Sequence, residues 1–512
     1  MKKVISVVLS LVMVFGFVLP VFAEEVADTE GKCDCGFNPV IYVAALGSGT
    51  IYENYGTAEE KALFRPETGP LVAEAVSVIL PVLPALMAGD YDTFGDALIG
   101  FVNSAFGNLA LDNAGNSKEN VYSPEEYPES GEHGIEHAFY MGYDFRLDPY
   151  VHADRLHETV QMMKELTGHD KVQLKASSMG GVVTMAYLER YGSEDIETII
   201  FQNCPIQGTA VAGELYCRKF EINKDALVNY ALDAIPALEQ DFFQGFLYGL
   251  ATALDDIGVW STLLTLIDPI VENLLDRVYD EALIPIFGTL PGIWSFVPDE
   301  YYEEAKLHMV NEETQAALIE RLDAYHYNVQ VKAPEILREA NKDTKIYIVA
   351  GYDIQRTPLV SAYMNTSDGT VDTKYASVGA VTADIRGTLP QGYVQQVNDG
   401  HNHISPDFAI DASTCALPEQ TWFVKDMLHC TTHSGHDKFY EKMLLGEEQF
   451  YVDTYEEYPQ FMQNNIPDET FDKVENLTAT ELFKKQPNFT NFVMMLRSFI
   501  NVIKSFFAGL IK

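Results

Sequence analysis

Positive charge is what this sequence has least of. Its 34 lysines and arginines stand against 75 aspartates and glutamates, a net charge of −41 over 512 residues. A field of that sign repels phosphate backbones, so nucleic acid is excluded as a partner. Fixed-period repeats and low-complexity runs are also absent, which leaves neither a solenoid nor a disordered chain as the architecture. No cysteine follows the amino-terminal apolar run directly, so a lipid-anchored mature end is not expected. Cysteine is sparse but even in number: Cys33, Cys35, Cys204, Cys217, Cys415 and Cys430.

What is present begins with a leader. Lys2 and Lys3 precede an apolar stretch from Val4 to Phe22, which ends in Val21-Phe22-Ala23. That spacing of small residues predicts an export signal over residues 1–23, cleaved after Ala23, and a secreted or cell-surface protein. A retained membrane anchor is the alternative, because the run is nearly long enough to span a bilayer. Export makes disulfides the default for the cysteines. The short-loop pairs Cys204–Cys217 and Cys415–Cys430 are expected, and Cys33-x-Cys35 stays open.

The remainder reads as one large globular core with insertions. Val40 to Ala45 is a short buried strand ended by Gly47-Ser48-Gly49, and residues 137–143 are a second. A helix over about 150–166 has apolar residues at helical spacing. A strand at 171–175, a helix from Gly180 to Tyr191 and a strand at 198–202 follow. Strands alternating with helices predict an α/β fold, a mostly parallel sheet covered on both faces. The alternation stops near Ala210 and resumes with the strand 345–350. Between them lie apolar helices broken by Pro236, Pro269, Pro285 and Pro291. The expected organisation is a core over 24–209 and 342–430, split by a helical cap or lid at 210–341. A carboxy-terminal extension fills 431–512.

The run Leu174-Lys175-Ala176-Ser177-Ser178-Met179-Gly180-Gly181 is entered by a strand and left by a helix. That context makes Ser178 a nucleophile on a sharp turn, with small residues at −2 (Ala176) and +2 (Gly180). Ser177 fits less well, since its +2 residue is Met179. A serine needs a base and an orienting acid, in the chain order Ser, acid, His for this architecture. Asp368, in Ser367-Asp368-Gly369-Thr370-Val371, is the expected acid, with Asp353 its rival. His403 is the expected base and His401 the alternative; both lie in Asp399-Gly400-His401-Asn402-His403. Backbone N–H groups of Met179 and Leu46 are the expected oxyanion donors.

These segments resemble the lipase and lecithin:cholesterol acyltransferase branch of the α/β-hydrolases. Ala45-Leu46-Gly47 is similar to that branch's oxyanion loop, and Tyr143-Asp144-Phe145-Arg146-Leu147 to its Tyr-Asp-Trp-Arg-Leu. Cys204-Pro205-Ile206-Gln207-Gly208-Thr209 resembles its Pro-His-x-Gly-Ser/Thr. Ser367-Asp368-Gly369-Thr370-Val371 resembles its Gly-Asp-Gly-Thr-Val, where the Asp is the triad acid. The departures are Ala45 and Ala176 for glycine, and Asp372 where proline is common. The resemblance implies a serine hydrolase of acyl or lipid-like esters with no cofactor and no metal. An acyltransferase using the same triad, or an inactive binding protein on the same scaffold, is the alternative. His429, Cys430, His433 and His436 are spaced closely enough to hold zinc, but Cys430 is better used in a disulfide. Finally, residues 489–512 form an amphipathic pattern whose charges, Arg497, Lys504 and Lys512, are all basic. Attachment to an anionic membrane surface and docking on the acidic body of the protein are the two readings of that helix.

Overall fold

The computed structural model describes residues 35–48, 50–64, 68–118, 120–123, 138–234, 273–466 and 468–474. The expected export signal, Cys33, part of the 210–341 insertion and the amphipathic helix at 489–512 lie outside these residues. No helix among the described residues is long and apolar enough to cross a membrane.

Eight strands form the central sheet. In chain order they are β1 (Val40–Val43), β2 (Ala138–Met141), β3 (Val172–Ser177), β4 (Ile196–Gln202), β5 (Lys345–Tyr352), β6 (Thr421–Lys425), β7 (Phe461–Asn465) and β8 (Thr470–Lys473). Their spatial order is β8-β7-β6-β5-β4-β3-β1-β2. Every pairing is parallel except β7 with β8, which is antiparallel. The chain is therefore an α/β protein with a mostly parallel sheet. Strands β3, β4 and β5 are almost wholly buried, as expected where both faces are covered. Register aligns the carboxyl ends: Val43 pairs with Ala176, Ser177 with Gln202, and Tyr352 with Lys425. Ligands in open α/β sheets bind beyond that edge.

Two helices frame the turn that matters. Helix α1 (Pro149–Thr167) starts where Asp148 accepts a hydrogen bond from Tyr150 N, with Pro149 in the first turn, and stops at Gly168 with φ 76°. Both are ordinary start and stop chemistry. Helix α2 (Met179–Tyr191) is buried from Met179 through Leu188. A helix that is apolar all round belongs in the middle of a core. Val182, Val183 and Leu188 each contribute roughly 1.5–3 kcal/mol by leaving water. Gly181 lets α2 sit close to the chain after β4, since a Cβ there would lie 2.4 Å from Cys204 Cβ.

Among the described residues between β4 and β5 the chain is helical, as the pattern predicted. Part of this segment belongs to the main core: Leu318, Leu322, Val329 and Leu337 pack in one cluster with Val182 and Val183 of α2. Gly292 touches the core directly. Its N–H donates to Arg146 O at 3.1 Å, and a Cβ there would be 2.0 Å from Phe145 O. The second predicted strand is shorter than expected, because the chain leaves the sheet after Met141. Tyr143 then donates its hydroxyl to Ala44 O at 2.7 Å, tying that loop to the end of β1.

The expected disulfides are not formed. Cys204, Cys217, Cys415 and Cys430 are all free thiols. Cys204 donates to Ala176 O and Gln202 O beneath the β3–α2 turn. Cys217, at the end of the helix Ala210–Tyr216, faces Tyr301 O instead. Cys415 is buried before β6, whereas Cys430 lies beyond the opposite end of that strand, with its Sγ 3.9 Å from Ser177 Oγ. Nearness in sequence did not become nearness in space.

Candidate active site

Ser178 stands between β3 and α2 with φ 51° and ψ −122°. This backbone conformation is sparsely populated for a residue with a Cβ and costs of order 1–3 kcal/mol. The surroundings hold it there. Ser178 N donates to Gln202 O at 3.1 Å, and Gly181 N to Ser178 O at 3.0 Å. Gly180 is required by space: a Cβ would lie 2.1 Å from Val43 O and 3.1 Å from Ala44 O. The end of β1 thus runs directly against the turn.

Asp368 is buried in the loop that follows β5. Its Oδ1 accepts from Thr370 N at 2.9 Å and from Val371 N at 2.7 Å. Gly351 leaves room for it, since a Cβ there would lie 2.7 Å from Asp368 Cβ. The other carboxylate oxygen, Oδ2, is 2.7 Å from His429 Nδ1, and His429 Nε2 is 2.9 Å from Ser178 Oγ. His429 N also donates to Asp368 O at 2.8 Å. Serine, imidazole and carboxylate are thereby linked in one hydrogen-bonded line at the carboxyl edge of the sheet.

The structure brings Ser178 and Asp368 together as expected, but the imidazole between them is His429. Neither His403 nor His401 is there. His403 is buried near the amino end of β6, with Nδ1 2.7 Å from Gln460 Oε1 and Nε2 2.9 Å from Asp399 Oδ2. His401 lies beside Glu419, Nδ1 to Oε1, at 2.6 Å. His429 comes four residues past the carboxyl end of β6. The signal that would have found it is Thr421-Trp422-Phe423-Val424-Lys425, a β-branched and aromatic run that reads as a last strand. Asp353, the rival acid, is spent elsewhere: its Oδ1 accepts from Arg386 N at 2.8 Å and its Oδ2 is 3.4 Å from Lys425 Nζ.

Burial by itself would push the His429 imidazole down. The Asp368 carboxylate, with the neighbouring Cys430, outweighs that and leaves it well above the value of a free imidazole. The line therefore favours a positive ring at the moment it accepts a proton.

The two N–H groups expected as oxyanion donors lie in the turns on either side. Met179 N belongs to the first turn of α2, whose leading donors have no intrahelical partner. Leu46 lies in the loop after β1, where Ser48 donates to Ala45 O through both N and Oγ, at 3.2 and 2.6 Å. Gly47, at φ 72°, allows that turn.

The quoted motifs also have structural roles. Asp144 holds Arg146 through both oxygens, at 2.8 and 2.6 Å, and Arg146 donates on to Ser117 Oγ at 2.9 Å. Asp372 pairs with Arg356, both fully buried, and accepts from Ala210 N at 2.8 Å and Asn365 Nδ2 at 2.6 Å. His433 and His436 stack at 4.0 Å and share Asn464 Oδ1, apart from His429, so the four-residue zinc pattern does not assemble. Compared with known proteins, the chain matches no family model, and no curated protein is significantly similar to it, so the site is read from its own geometry.

Proposed function

We propose that this chain is a serine hydrolase of carboxylic esters, built on an α/β-hydrolase core of the lipase-like branch, with the insertion 210–341 supplying its cap. The observation that carries the reading is the line Ser178 Oγ–His429 Nε2, His429 Nδ1–Asp368 Oδ2, presented on a strained strand-to-helix turn. Nucleophile, base and orienting acid in hydrogen-bond reach are what acyl transfer requires.

In this mechanism Ser178 Oγ bonds to the acyl carbon as its proton passes to His429 Nε2. The carbonyl oxygen, now negative, is held by the N–H groups of Met179 and Leu46. His429 then gives the proton to the departing alkoxide, which leaves as the alcohol. Water attacks the acyl-Ser178 ester by the same route, its proton passing to His429 and then to Ser178 Oγ, and the acid departs. Asp368 keeps the hydrogen on Nδ1 and stabilises the imidazolium.

A fluorophosphonate probe should label the wild type and spare folded Ser178→Ala. Absence of labelling in the folded wild type would overturn the hydrolase reading and leave a binding protein on this scaffold. A graded panel of acyl esters reads the substrate class. The apolar residues of 210–341 favour medium or long acyl chains, and activity confined to acetates would refute that part. Products measured with and without added alcohol separate hydrolysis from acyl transfer.

A further inference from the structure

A second cluster of chemistry-bearing side chains lies at the other end of β6. His401 Nδ1, His403 Nε2 and a Glu419 carboxylate oxygen all fall within 4.8 Å of one another. Glu419 Oε1 is 2.6 Å from His401 Nδ1 and 3.2 Å from His403 Nε2. Asp399 Oδ2 stands outside that group of three but is 2.9 Å from His403 Nε2.

The hydrogen on His403 decides what these contacts mean. Gln460 donates through Nε2 to Pro418 O at 2.8 Å and Thr421 O at 3.1 Å, which fixes Oε1 as its acceptor. His403 Nδ1, 2.7 Å from that oxygen, therefore carries the hydrogen. In the neutral ring Nε2 is then a lone pair, buried and facing two carboxylate oxygens. Acceptors converge there without a donor among them, an arrangement that asks for a cation.

We propose that His401, His403 and Glu419 bind a divalent metal ion, zinc by its ligand chemistry. Two imidazole nitrogens with a carboxylate suit a borderline ion such as zinc; calcium and magnesium prefer oxygen alone. Zinc bonds of about 2.0–2.1 Å put ligand atoms roughly 3.3 Å apart, against contacts of 2.6 and 3.2 Å from Glu419 Oε1 to the two rings and a limit of 4.8 Å across the group, so modest side-chain shifts seat the ion. The surrounding shell is already built. Gln460 holds the far nitrogen of His403, the role that a carbonyl or carboxylate takes behind a metal-bound histidine. Gln395 accepts from His403 N at 2.8 Å and donates to His401 O at 3.0 Å, and Asp399 Oδ1 accepts from His401 N at 3.0 Å.

The site is structural and separate from the triad. Two ligands come from the loop segment 401–403. The third, Glu419, is in the turn Pro418–Gln420 that leads into β6. The five residues of β6, at about 3.3 Å each, then separate it from the segment carrying His429. The metal would clip the long excursion between Thr382 and Ile410 to the base of the strand that positions the imidazole.

The test uses tag-free full-length protein, stripped with a chelator, exchanged into metal-free buffer and titrated with zinc chloride alone. Wild type should take up one equivalent and melt at a higher temperature, and cobalt(II) in place of zinc should give visible d–d bands. His401→Ala with Glu419→Gln, both partly exposed and so tolerated by the fold, should bind zinc at least about tenfold more weakly and lose the bands. Wild type that binds no more zinc than the double variant, or whose melting ignores zinc, would overturn the proposal and leave a proton as the cation on His403.

Discussion

Replacing Asp368 with asparagine exchanges one oxygen for a nitrogen, yet it should lower kcat by about 10⁴. The reason lies in which end of the carboxylate is spoken for. Oδ1 accepts from Thr370 N and Val371 N, and only an oxygen can accept both. An asparagine amide must therefore keep its oxygen there and turn its NH₂ toward His429 Nδ1. That nitrogen becomes the acceptor, the ring hydrogen moves to Nε2, and Nε2 donates to Ser178 Oγ instead of taking its proton. A factor of 10⁴ is about 5.5 kcal/mol of barrier, far more than one hydrogen bond contributes to folding. Circular dichroism and the melting temperature should change little, since both backbone contacts to Oδ1 survive. Steady-state kcat on a soluble ester, corrected for titrated sites, reads the effect. Asp353→Asn is the control, and it should lower stability rather than kcat, because Asp353 faces Lys425 and Arg386 N. A folded Asp368→Asn enzyme within tenfold of wild type would refute the tautomer argument.

The acid limb of kcat/KM should lie above 6.5, the value from which His429 is raised. Only the neutral ring accepts the Ser178 proton, so the rate falls as pH drops through its pKa. Asp368→Asn should shift that limb to lower pH, and an unmoved limb would mean that the carboxylate does not set it. His429→Gln should abolish ester hydrolysis in folded protein, whereas His403→Gln should leave kcat of the folded fraction near wild type; the reverse pattern in purified, folded variants would restore the original choice of base. Asp372→Ala should cost about 3–5 kcal/mol in urea unfolding, because it strands the fully buried Arg356; a loss under about 1 kcal/mol would show that the pair is dispensable. Gly180→Ala should destabilise by about 1–3 kcal/mol or more through the Val43 carbonyl, and an unchanged melting temperature would contradict the close approach.

Much of the fold was legible because local patterns and the global arrangement agree along residues 40–202. There the strands of the central sheet are short, largely apolar runs, helix α1 has its cap, and Ser178 falls at a junction where Gly180 leaves no room for a side chain. Asp368 was legible through its own loop. His429 was not, for a reason in the chain between them. The excursion from Thr382 to Ile410 carries its own acid-and-histidine grouping, Asp399, His401 and His403, which imitates a catalytic loop in sequence but folds to the opposite end of β6. Recognising Thr421–Lys425 as a strand would have moved the expected base beyond it. The cysteine pairs failed because loop length says how easily two residues could meet, and nothing about which side of the sheet each one faces. Asp372, a departure from the resembled pattern, became intelligible only with Arg356 beside it, some sixteen positions earlier in the chain.

The contact between Gly181 and Cys204 has a consequence for how this chain can change over generations. The two positions share one volume, so their substitutions are not independent. Gly181→Ala in the present background drives a methyl into the Cys204 side chain. Only Cys204→Gly, which removes Cβ as well as Sγ, can come first and clear the clash, at a cost of about 1–3 kcal/mol for the space it opens, and a side chain at 181 then fills that space. One order of mutation is open and the other is blocked. Descendants of this sequence should therefore carry glycine at 204 wherever 181 has gained a side chain, whatever substrate they have come to use.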